Sequence, residues 1–171
     1  MKAVVKTVEQ PAQNAQRFDH IRPLYLEALT LVERLHRRLL DVIKDEFDRM
    51  GWDDINPVQA LLMFNIGDAE MTAGELRSRG YYLGSNVSYN LKKLVETGYI
   101  FQERSRSDRR SVRIRLTPKG EEVAEVIDEL YDRHLKSIEK VGGLDGTTFE
   151  GLNKALGRLE RFWVDQILYK L

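Results

Sequence analysis

Residues Thr72–Pro118 decide the fold of this chain, and their sequence is TAGELRSRGYYLGSNVSYNLKKLVETGYIFQERSRSDRRSVRIRLTP. Thr72 and Glu75 have the spacing of a capping box, which predicts the start of a short helix. A turn at 80–84 separates this helix from a second one predicted at 85–97. Gly98 marks the end of the second helix. The segment therefore begins with two helices joined by a tight turn.

Two strands are predicted after this helical pair. Residues 99–104 and 112–116 have strand character, and the second strand alternates apolar and polar side chains. The loop between them, 105–111, has the sequence SRSDRRS. A two-stranded hairpin is marginally stable alone, so this wing must pack on the helices. A helix with small polar side chains and lysines beside a basic loop is an arrangement that binds duplex DNA.

Positive charge is concentrated in this segment, although the whole chain, with 27 basic and 27 acidic residues, has a formal net charge of zero. Residues 72–115 contain ten Lys and Arg against four acidic residues, a local charge of +6, so the rest of the chain carries −6. Such polarity lets one face meet phosphates while the remainder repels DNA. The ten basic residues are Arg77, Arg79, Lys92, Lys93, Arg104, Arg106, Arg109, Arg110, Arg113 and Arg115.

A long amphipathic helix is predicted before this segment. Apolar residues recur at three- and four-residue spacing from Ile21 to Phe47, Asp19 fits the N-cap, and Gly51 ends the helix. Pro23 falls near the first turn, where proline is tolerated. A helix of about 30 residues is roughly 45 Å long, which favours packing of part of it against a second chain.

Three more helices are predicted from their caps. Asn56 and Gln59 form a capping box that starts a nearly all-apolar helix, which we expect in the core. Thr117 and Pro118 start a long helix after the strands. A capping box at 147–150 starts the last helix.

These elements predict a mostly α-helical fold with a small β wing, made of a winged helix-turn-helix lobe and a helical dimerisation lobe. We expect residues 1–18 to be an N-terminal tail and residues 19–171 to be one domain. Within that domain, the winged helix-turn-helix spans about 56–117, and the dimerisation helices span about 19–50 and 118–171.

The composition argues against several classes of protein. The chain has no cysteine, which removes disulfides, thiolate metal sites and cysteine nucleophiles. No apolar run approaches the roughly 20 residues of a membrane helix, and residues 1–18 lack a signal-peptide core, so we expect a soluble, cytoplasmic protein with no membrane partner. No nucleophile–base pair, glycine-rich phosphate loop or metal-ligand spacing is present, so neither catalysis nor a cofactor or metal is expected. His20, His36 and His134 are too scattered to predict a metal site.

The order of these elements resembles the MarR family of winged helix-turn-helix transcriptional regulators. The matching pieces are the helix opening at 72–76, the helix at 85–94, LVETGYI at 94–100, DRR at 108–110 and LTPKG at 116–120. The spacing of DRR six residues before LTxxG is a specific signal, and the resemblance extends from about Asp19 to the C-terminus. The tyrosine-rich turn RGYYLGSNVSYNLKKLVE is similar to that of LdtR-type regulators of alphaproteobacteria, which are associated with L,D-transpeptidase genes and cell-wall stress.

The second helix of the pair and the loop 105–111 hold the residues that we expect to contact DNA. Asn86 and Ser88 are predicted to contact base edges, and the helix lysines to contact phosphates. The loop arginines suit a narrow minor groove, and the resemblance implies that Asp108 orients one of them through an ion pair. A solvated helix face and a flexible charged loop are the alternatives. The expected DNA-binding residues are Ser85, Asn86, Ser88, Tyr89, Lys92, Lys93, Arg106, Asp108, Arg109 and Arg110.

The resemblance also implies a small aromatic or phenolic effector, bound between the dimerisation helices and the DNA-binding lobe. By this analogy, the residues in reach are His20, Leu24, Ala28, Phe64 and Tyr131. An ordinary core or interface position is the alternative for each of them. A two-fold interface is predicted because the first long helix and the last helix would otherwise expose a large apolar patch to water. The residues expected there are Ile21, Tyr25, Phe162, Trp163 and Ile167.

The sequence therefore predicts a homodimeric repressor or dual regulator whose partners are double-stranded DNA, a second copy of the chain and a small effector. Two recognition helices would enter successive major grooves of a pseudo-palindromic operator. The alternative is a winged-helix module that binds proteins and has no specific DNA readout.

Overall fold

Six helices and three short strands make up the part of the chain that the structure describes. The computed structural model describes the backbone of residues 11–78, 84–104 and 112–169, with the side chains in these ranges except those of 11–17, 73, 77–78 and 84–87. The helices are α1 (Pro11–Met50), α2 (Pro57–Ile66), α3 (Ala73–Ser78), α4 (Gly84–Glu96), α5 (Pro118–Gly142) and α6 (Gly146–Tyr169). The strands are β1 (Met71–Thr72), β2 (Ile100–Arg104) and β3 (Val112–Leu116). The predicted fold class, mostly helical with a small wing, is confirmed.

The chain divides into two compact units, Met1–Gln59 and Ala60–Leu171. In the first unit, α1 extends over 40 residues from Pro11. The predicted start at Asp19 is therefore wrong, and Pro23 lies inside the helix rather than in its first turn. Residues 11–18 include helix formers such as Ala, Gln and Arg but show no apolar periodicity, so the pattern does not reveal this part of the helix.

The end of α1 and the start of α2 follow the predicted local chemistry. Gly51 has the left-handed backbone (φ 72°) that ends α1. The N–H of Gln59 donates to Oδ1 of Asn56 at 2.9 Å, and the N–H of Asn56 donates to Oε1 of Gln59 at 3.1 Å. This reciprocal capping box starts α2. The helix then buries Ala60, Leu62, Met63 and Ile66, as expected for a core helix.

The wing sheet has three strands rather than the two predicted, in the antiparallel order β1-β3-β2. Met71 and Thr72 of β1 pair with Ile114 and Arg113 of β3. A strand of two residues is too short to show an alternating pattern, so the sequence does not predict it. Thr72 also caps α3, because its hydroxyl accepts from the N–H of Glu75 at 3.1 Å.

The last two helices differ in how well their starts are predicted. Thr117 is the N-cap of α5 as expected, and Gly143 ends that helix in the left-handed conformation (φ 65°). The predicted capping box at 147–150 is wrong, because α6 begins at Gly146 and is capped by Asp145. The Asp145 carboxylate accepts from the N–H and the hydroxyl of Thr148 at 2.8 and 2.6 Å. A carboxylate at a helix N-terminus is a stronger acceptor than the threonine hydroxyl further along the chain.

None of the helices in the described ranges is long and apolar enough to cross a lipid bilayer.

Candidate nucleic-acid interface

Helix α4 buries apolar side chains on one side and exposes polar ones on the other. Leu91 and Leu94 are only 7% and 1% exposed. The exposed side chains include those of Ser88, Tyr89, Lys92 and Lys93. Ser85 and Asn86 belong to the first turn of α4, and their side chains lie outside the described residues. The predicted outward orientation is confirmed for the four described side chains, and their contact with DNA remains a prediction.

Lys92 forms a weak ion pair within α4. Its Nζ lies 3.9 Å from a carboxylate oxygen of Glu96, one helical turn further along. Both side chains are more than half exposed, and such a pair contributes little to stability. A phosphate oxygen can therefore replace Glu96 at small cost, which makes Lys92 suitable for a backbone contact.

The strands β2 and β3 bring the two ends of the loop 105–111 together. Arg104 is directly opposite Val112 in the antiparallel ladder. The predicted loop residues lie outside the described residues, so their DNA contacts stay predictions. They are Arg106, Asp108, Arg109 and Arg110.

Two of the basic residues that the sequence counts as available have partners in the fold. The guanidinium of Arg113 lies 3.0 Å from Oε1 of Glu70, and this hydrogen bond and charge raise the pKa of Arg113 above its usual value. The Arg115 guanidinium lies 4.5 Å from the ring centroid of Phe101, its cross-strand neighbour. The sequence count misses both contacts, because Glu70 precedes the counted segment and because Phe101 meets Arg115 only through the pairing of β2 with β3. A local count of charge therefore overstates the free positive charge of the wing.

The two sequence motifs at 94–100 and 116–120 meet at one joint, which we call the α4–α5 joint and which comprises Thr97, Gly98, Tyr99, Thr117, Lys119 and Gly120. The hydroxyl of Thr117 lies within hydrogen-bond distance of the carbonyl oxygens of Gly98 (2.7 Å) and Tyr99 (3.1 Å). The backbone N–H of Thr117 also donates to the Tyr99 carbonyl, at 3.0 Å. The contacts link the turn after α4 directly to the first turn of α5.

Lys119 and Gly120 complete the α4–α5 joint. The Nζ of Lys119 lies 3.9 Å from the centroid of the buried Tyr99 ring and 3.5 Å from the carbonyl oxygen of Thr97. Gly120 is buried so closely against the Tyr99 carbonyl that a β-carbon there would overlap it. Spacing along the sequence reveals neither contact, although the motif LTPKG marks the residues that make them.

Comparison with known proteins agrees with this geometry. Residues 55–120 match the family described as a winged helix DNA-binding domain. The chain is 36% identical over 145 residues to the exopolysaccharide II synthesis transcriptional activator ExpG of Rhizobium meliloti (strain 1021), a match that covers 85% of this chain and 74% of the relative. The chain belongs to the MarR family of winged-helix, DNA-binding transcriptional regulators.

Crystal structures of MarR-family proteins share the fold. The transcriptional regulator SlyA superposes with a TM-score of 0.70 at 17% identity, over 84% of this chain and 99% of SlyA. A mutant of MarR from E. coli, in complex with operator DNA, superposes with a TM-score of 0.62 at 20% identity, over 83% of this chain and 96% of that protein.

The residues predicted to bind an effector in this MarR-family chain are distributed over both units. His20 and Leu24 are exposed on α1, and Ala28 is half-buried there. Phe64 of α2 and Tyr131 of α5 make an edge-to-face contact with ring centroids 5.1 Å apart. Burial raises the pKa of the Tyr131 hydroxyl above its ordinary value.

Next to Phe64, the second unit contains a cavity of about 410 Å³ that the sequence analysis missed. Phe64, Leu116 and Ala124 supply apolar lining. Its acidic lining residues are Asp68, Glu121, Glu125 and Asp128. Asp68 follows α2, whereas the other three acidic residues belong to α5, so no short sequence motif predicts that they lie together. Their shared charge favours neutral or cationic molecules over anions.

The predicted dimerisation residues are apolar and exposed in the single chain. Ile21 and Tyr25 on α1 are 46% and 38% exposed. On α6, the exposed fractions of Phe162, Trp163 and Ile167 are 52%, 37% and 77%. No residue of α6, which the structure describes from end to end, is buried. A helix with this much exposed apolar surface is typical of an interaction surface.

The predicted absence of a metal site receives no direct test. Among the described residues, no three His, Cys, Asp or Glu side chains are grouped to hold a metal ion.

Proposed function

We propose that this MarR-family regulator binds a pseudo-palindromic operator as a homodimer and that a small aromatic effector changes its affinity for DNA. The observation that carries the proposal is the exposed polar face of α4 beside two strands that bring a loop rich in arginine to one end. A helix and a wing in this combination contact a major groove and the adjacent backbone or minor groove together.

In this proposal, the N-terminal half of α4 contacts base edges. Asn86 and Ser88 supply the donors and acceptors, with Ser85 and Tyr89 beside them. Lys92 and Lys93 contact phosphates, which fix the position of the helix without selecting a sequence. In the loop, Arg106, Arg109 and Arg110 enter the minor groove, and Asp108 orients one of them.

The exposed apolar surface of α6, together with Ile21 and Tyr25 of α1, supports the homodimer. A two-fold axis would place two copies of α4 about one helical turn of DNA apart, roughly 34 Å, on one face of the duplex. The organisation that we propose keeps 56–117 as the DNA-binding lobe and 19–50 with 118–171 as the dimerisation helices. Residues 1–18 form the N-terminal tail in this proposed organisation, and the part of that tail from Pro11 onward belongs to α1.

The effector that we propose is a neutral or cationic aromatic molecule. Phe64 and Tyr131 supply aromatic contact surface, and His20, Leu24 and Ala28 are the proposed residues on α1. The carboxylates around the 410 Å³ cavity repel anions such as phenolates. Binding would shift the dimer between two separations of its DNA-binding lobes, only one of which matches the operator.

We propose that this cytoplasmic, non-enzymatic regulator acts as a repressor or as a dual regulator. The R. meliloti relative is named an activator, and the same DNA-bound dimer can block or assist transcription according to where its operator lies. The tyrosine-rich turn, part of which falls at 79–83 outside the described residues, supports the narrower proposal of an LdtR-type regulator of a stress response.

A gel shift with the DNA upstream of the protein's own gene, at physiological salt, tests the function. We expect binding at least about 10³-fold tighter than to a scrambled duplex of equal length. Equal affinity for both duplexes would contradict specific readout. Absence of any DNA binding would favour the alternative of a protein-interaction module. The same assay with neutral, cationic and anionic aromatic compounds tests the charge preference of the effector site.

A further inference from the structure

The carbonyl groups at the end of α4 have acceptor capacity that α4 itself cannot fill. The helix ends with Tyr99 N–H donating to the Leu94 carbonyl at 2.9 Å and Gly98 N–H donating to the Val95 carbonyl at 3.1 Å. Thr97, Gly98 and Tyr99 follow the last residue of α4, and their carbonyl oxygens lie at the end of the helix where the partial charge of the helix dipole is negative. Thr117 and Lys119 of the α4–α5 joint supply their donors.

Lys119 is in an unfavourable place for α5 alone. It lies in the first turn of α5, where the helix dipole is positive and a cation is destabilising. The position is favourable for α4, because the ammonium lies 3.5 Å from the Thr97 carbonyl and over the ring of Tyr99. The charge of Lys119 therefore compensates the C-terminal end of α4, and the first turn of α5 acts as the C-cap of α4.

The α4–α5 joint also fixes the wing. Ile100, the first residue of β2, follows Tyr99 directly and pairs with Leu116, the last residue of β3. Leu116 in turn precedes Thr117. Helix α4 and the two strands that carry the proposed DNA-contacting loop therefore start or end next to this joint.

We propose that Lys119, with Thr117, is a positioning residue for DNA recognition, because it holds the orientation of α4 relative to the wing. This inference rests on the proposed DNA readout by α4. The first turn of α4 is 12 residues from the joint, roughly 18 Å along the helix axis. A rotation of about 5° at the joint would move that turn by about 1.6 Å, which exceeds the roughly 0.5 Å tolerance of a binding constellation.

Lys119→Met tests the inference, because it removes the charge and keeps an apolar stem over Tyr99. We expect the ratio of operator affinity to scrambled-duplex affinity to fall about tenfold, the loss expected for a hydrogen bond to a charged group. The slope of log affinity against log salt should stay unchanged, since Lys119 contacts no phosphate in this scheme. Lys119→Arg should restore most of the ratio. Lys136→Met, at an exposed lysine of α5, is the matched control and should behave as wild type.

If the wild-type protein discriminates its operator, an unchanged affinity ratio in Lys119→Met would overturn the inference. So would equal weakening on both duplexes with a salt slope lowered by about one, since that result identifies a phosphate contact.

A second readout requires no DNA and so separates failure of this inference from failure of the proposed function. Amide hydrogen exchange in the free protein should be about tenfold faster over 94–99 in Lys119→Met. Lys119→Arg and Lys136→Met should exchange at the wild-type rate. Equal exchange in Lys119→Met and wild type would overturn the inference even if the protein binds its operator. Faster exchange in a protein that does not discriminate an operator would support the joint and contradict only the proposed readout.

Discussion

A β-carbon on Gly120 would lie less than 3.0 Å from the carbonyl oxygen of Tyr99. The contact joins the first turn of α5 to the backbone that follows α4, and it leaves no room for a side chain. The glycine is required by this close approach and not by an unusual backbone conformation, since Gly120 is helical.

Gly120→Ala should therefore lower the free energy of unfolding by about 1–3 kcal/mol, the usual effect of overpacking. The sign is opposite to the general rule for helices, in which alanine is more stable than glycine. Gly151→Ala, in α6 with no atom near the new β-carbon, is the control and should raise stability by about 0.5–1 kcal/mol. Urea unfolding at a fixed protein concentration measures both, and equal signs would contradict the proposed packing.

Arg109→Ala should weaken binding to every duplex and lower the salt slope by about one, because it removes a phosphate or minor-groove contact. Arg113→Ala is the control, since the charge of Arg113 is already balanced by Glu70 at 3.0 Å. It should leave the slope unchanged. Fluorescence anisotropy at several salt concentrations makes the comparison. If both variants lose the same slope, the ion pair with Glu70 does not protect Arg113 from contact with DNA.

Asn86→Ala should flatten the preference among operator variants, because a base-reading amide distinguishes base pairs by about 1–3 kcal/mol at one position. Lys93→Ala on the same helix should weaken all variants equally, as loss of a phosphate contact does. Binding to a set of single-base operator variants measures the difference. Uniform weakening by Asn86→Ala would make Asn86 a backbone contact instead.

Ile167→Asp should dissociate the proposed dimer, because it places a charge within the apolar surface of α6. Val141→Asp is the control, since Val141 at the end of α5 is 86% exposed and is not among the residues assigned to the interface. Sedimentation equilibrium should show a monomer for the first variant and the wild-type mass for the second. A wild-type protein that is monomeric at micromolar concentration would exclude the interface.

Asp145→Asn should reduce the loss of stability in acid. Hydrogen bonds from the Thr148 hydroxyl and N–H lower the pKa of Asp145 below its ordinary value of 3.8. A lowered pKa in the folded state contributes stability that is present above the ordinary value and lost as the pH falls through the folded value. Asparagine caps the helix without titrating. Thr148→Val removes one donor and should give an intermediate result. Unfolding at pH 7 and at about pH 3 measures the effect, and identical pH dependence in all three proteins would exclude it.

Local sequence predicts most of the helix and strand order because caps and glycine stops act over three or four residues. The boxes at Asn56 and Thr72, the cap at Thr117 and the glycine after α1 all form as expected. The predicted element boundaries are wrong where the local sequence has no periodic pattern or offers two competing caps. The first turns of α1 lack apolar periodicity, β1 is too short to alternate, and Asp145 competes successfully with a second capping box.

The sequence by itself determined the fold class, the family and the polar face of α4, because helical periodicity decides which side chains point away from the apolar ones. Only the tertiary structure decided which charges are available and how α4 is held. The ion pair of Arg113 with Glu70 joins residues 43 positions apart, and the contact of the Lys119 ammonium with the Thr97 carbonyl joins residues 22 apart. Such contacts depend on strand register and on helix ends meeting in space, and a linear pattern of residues contains neither.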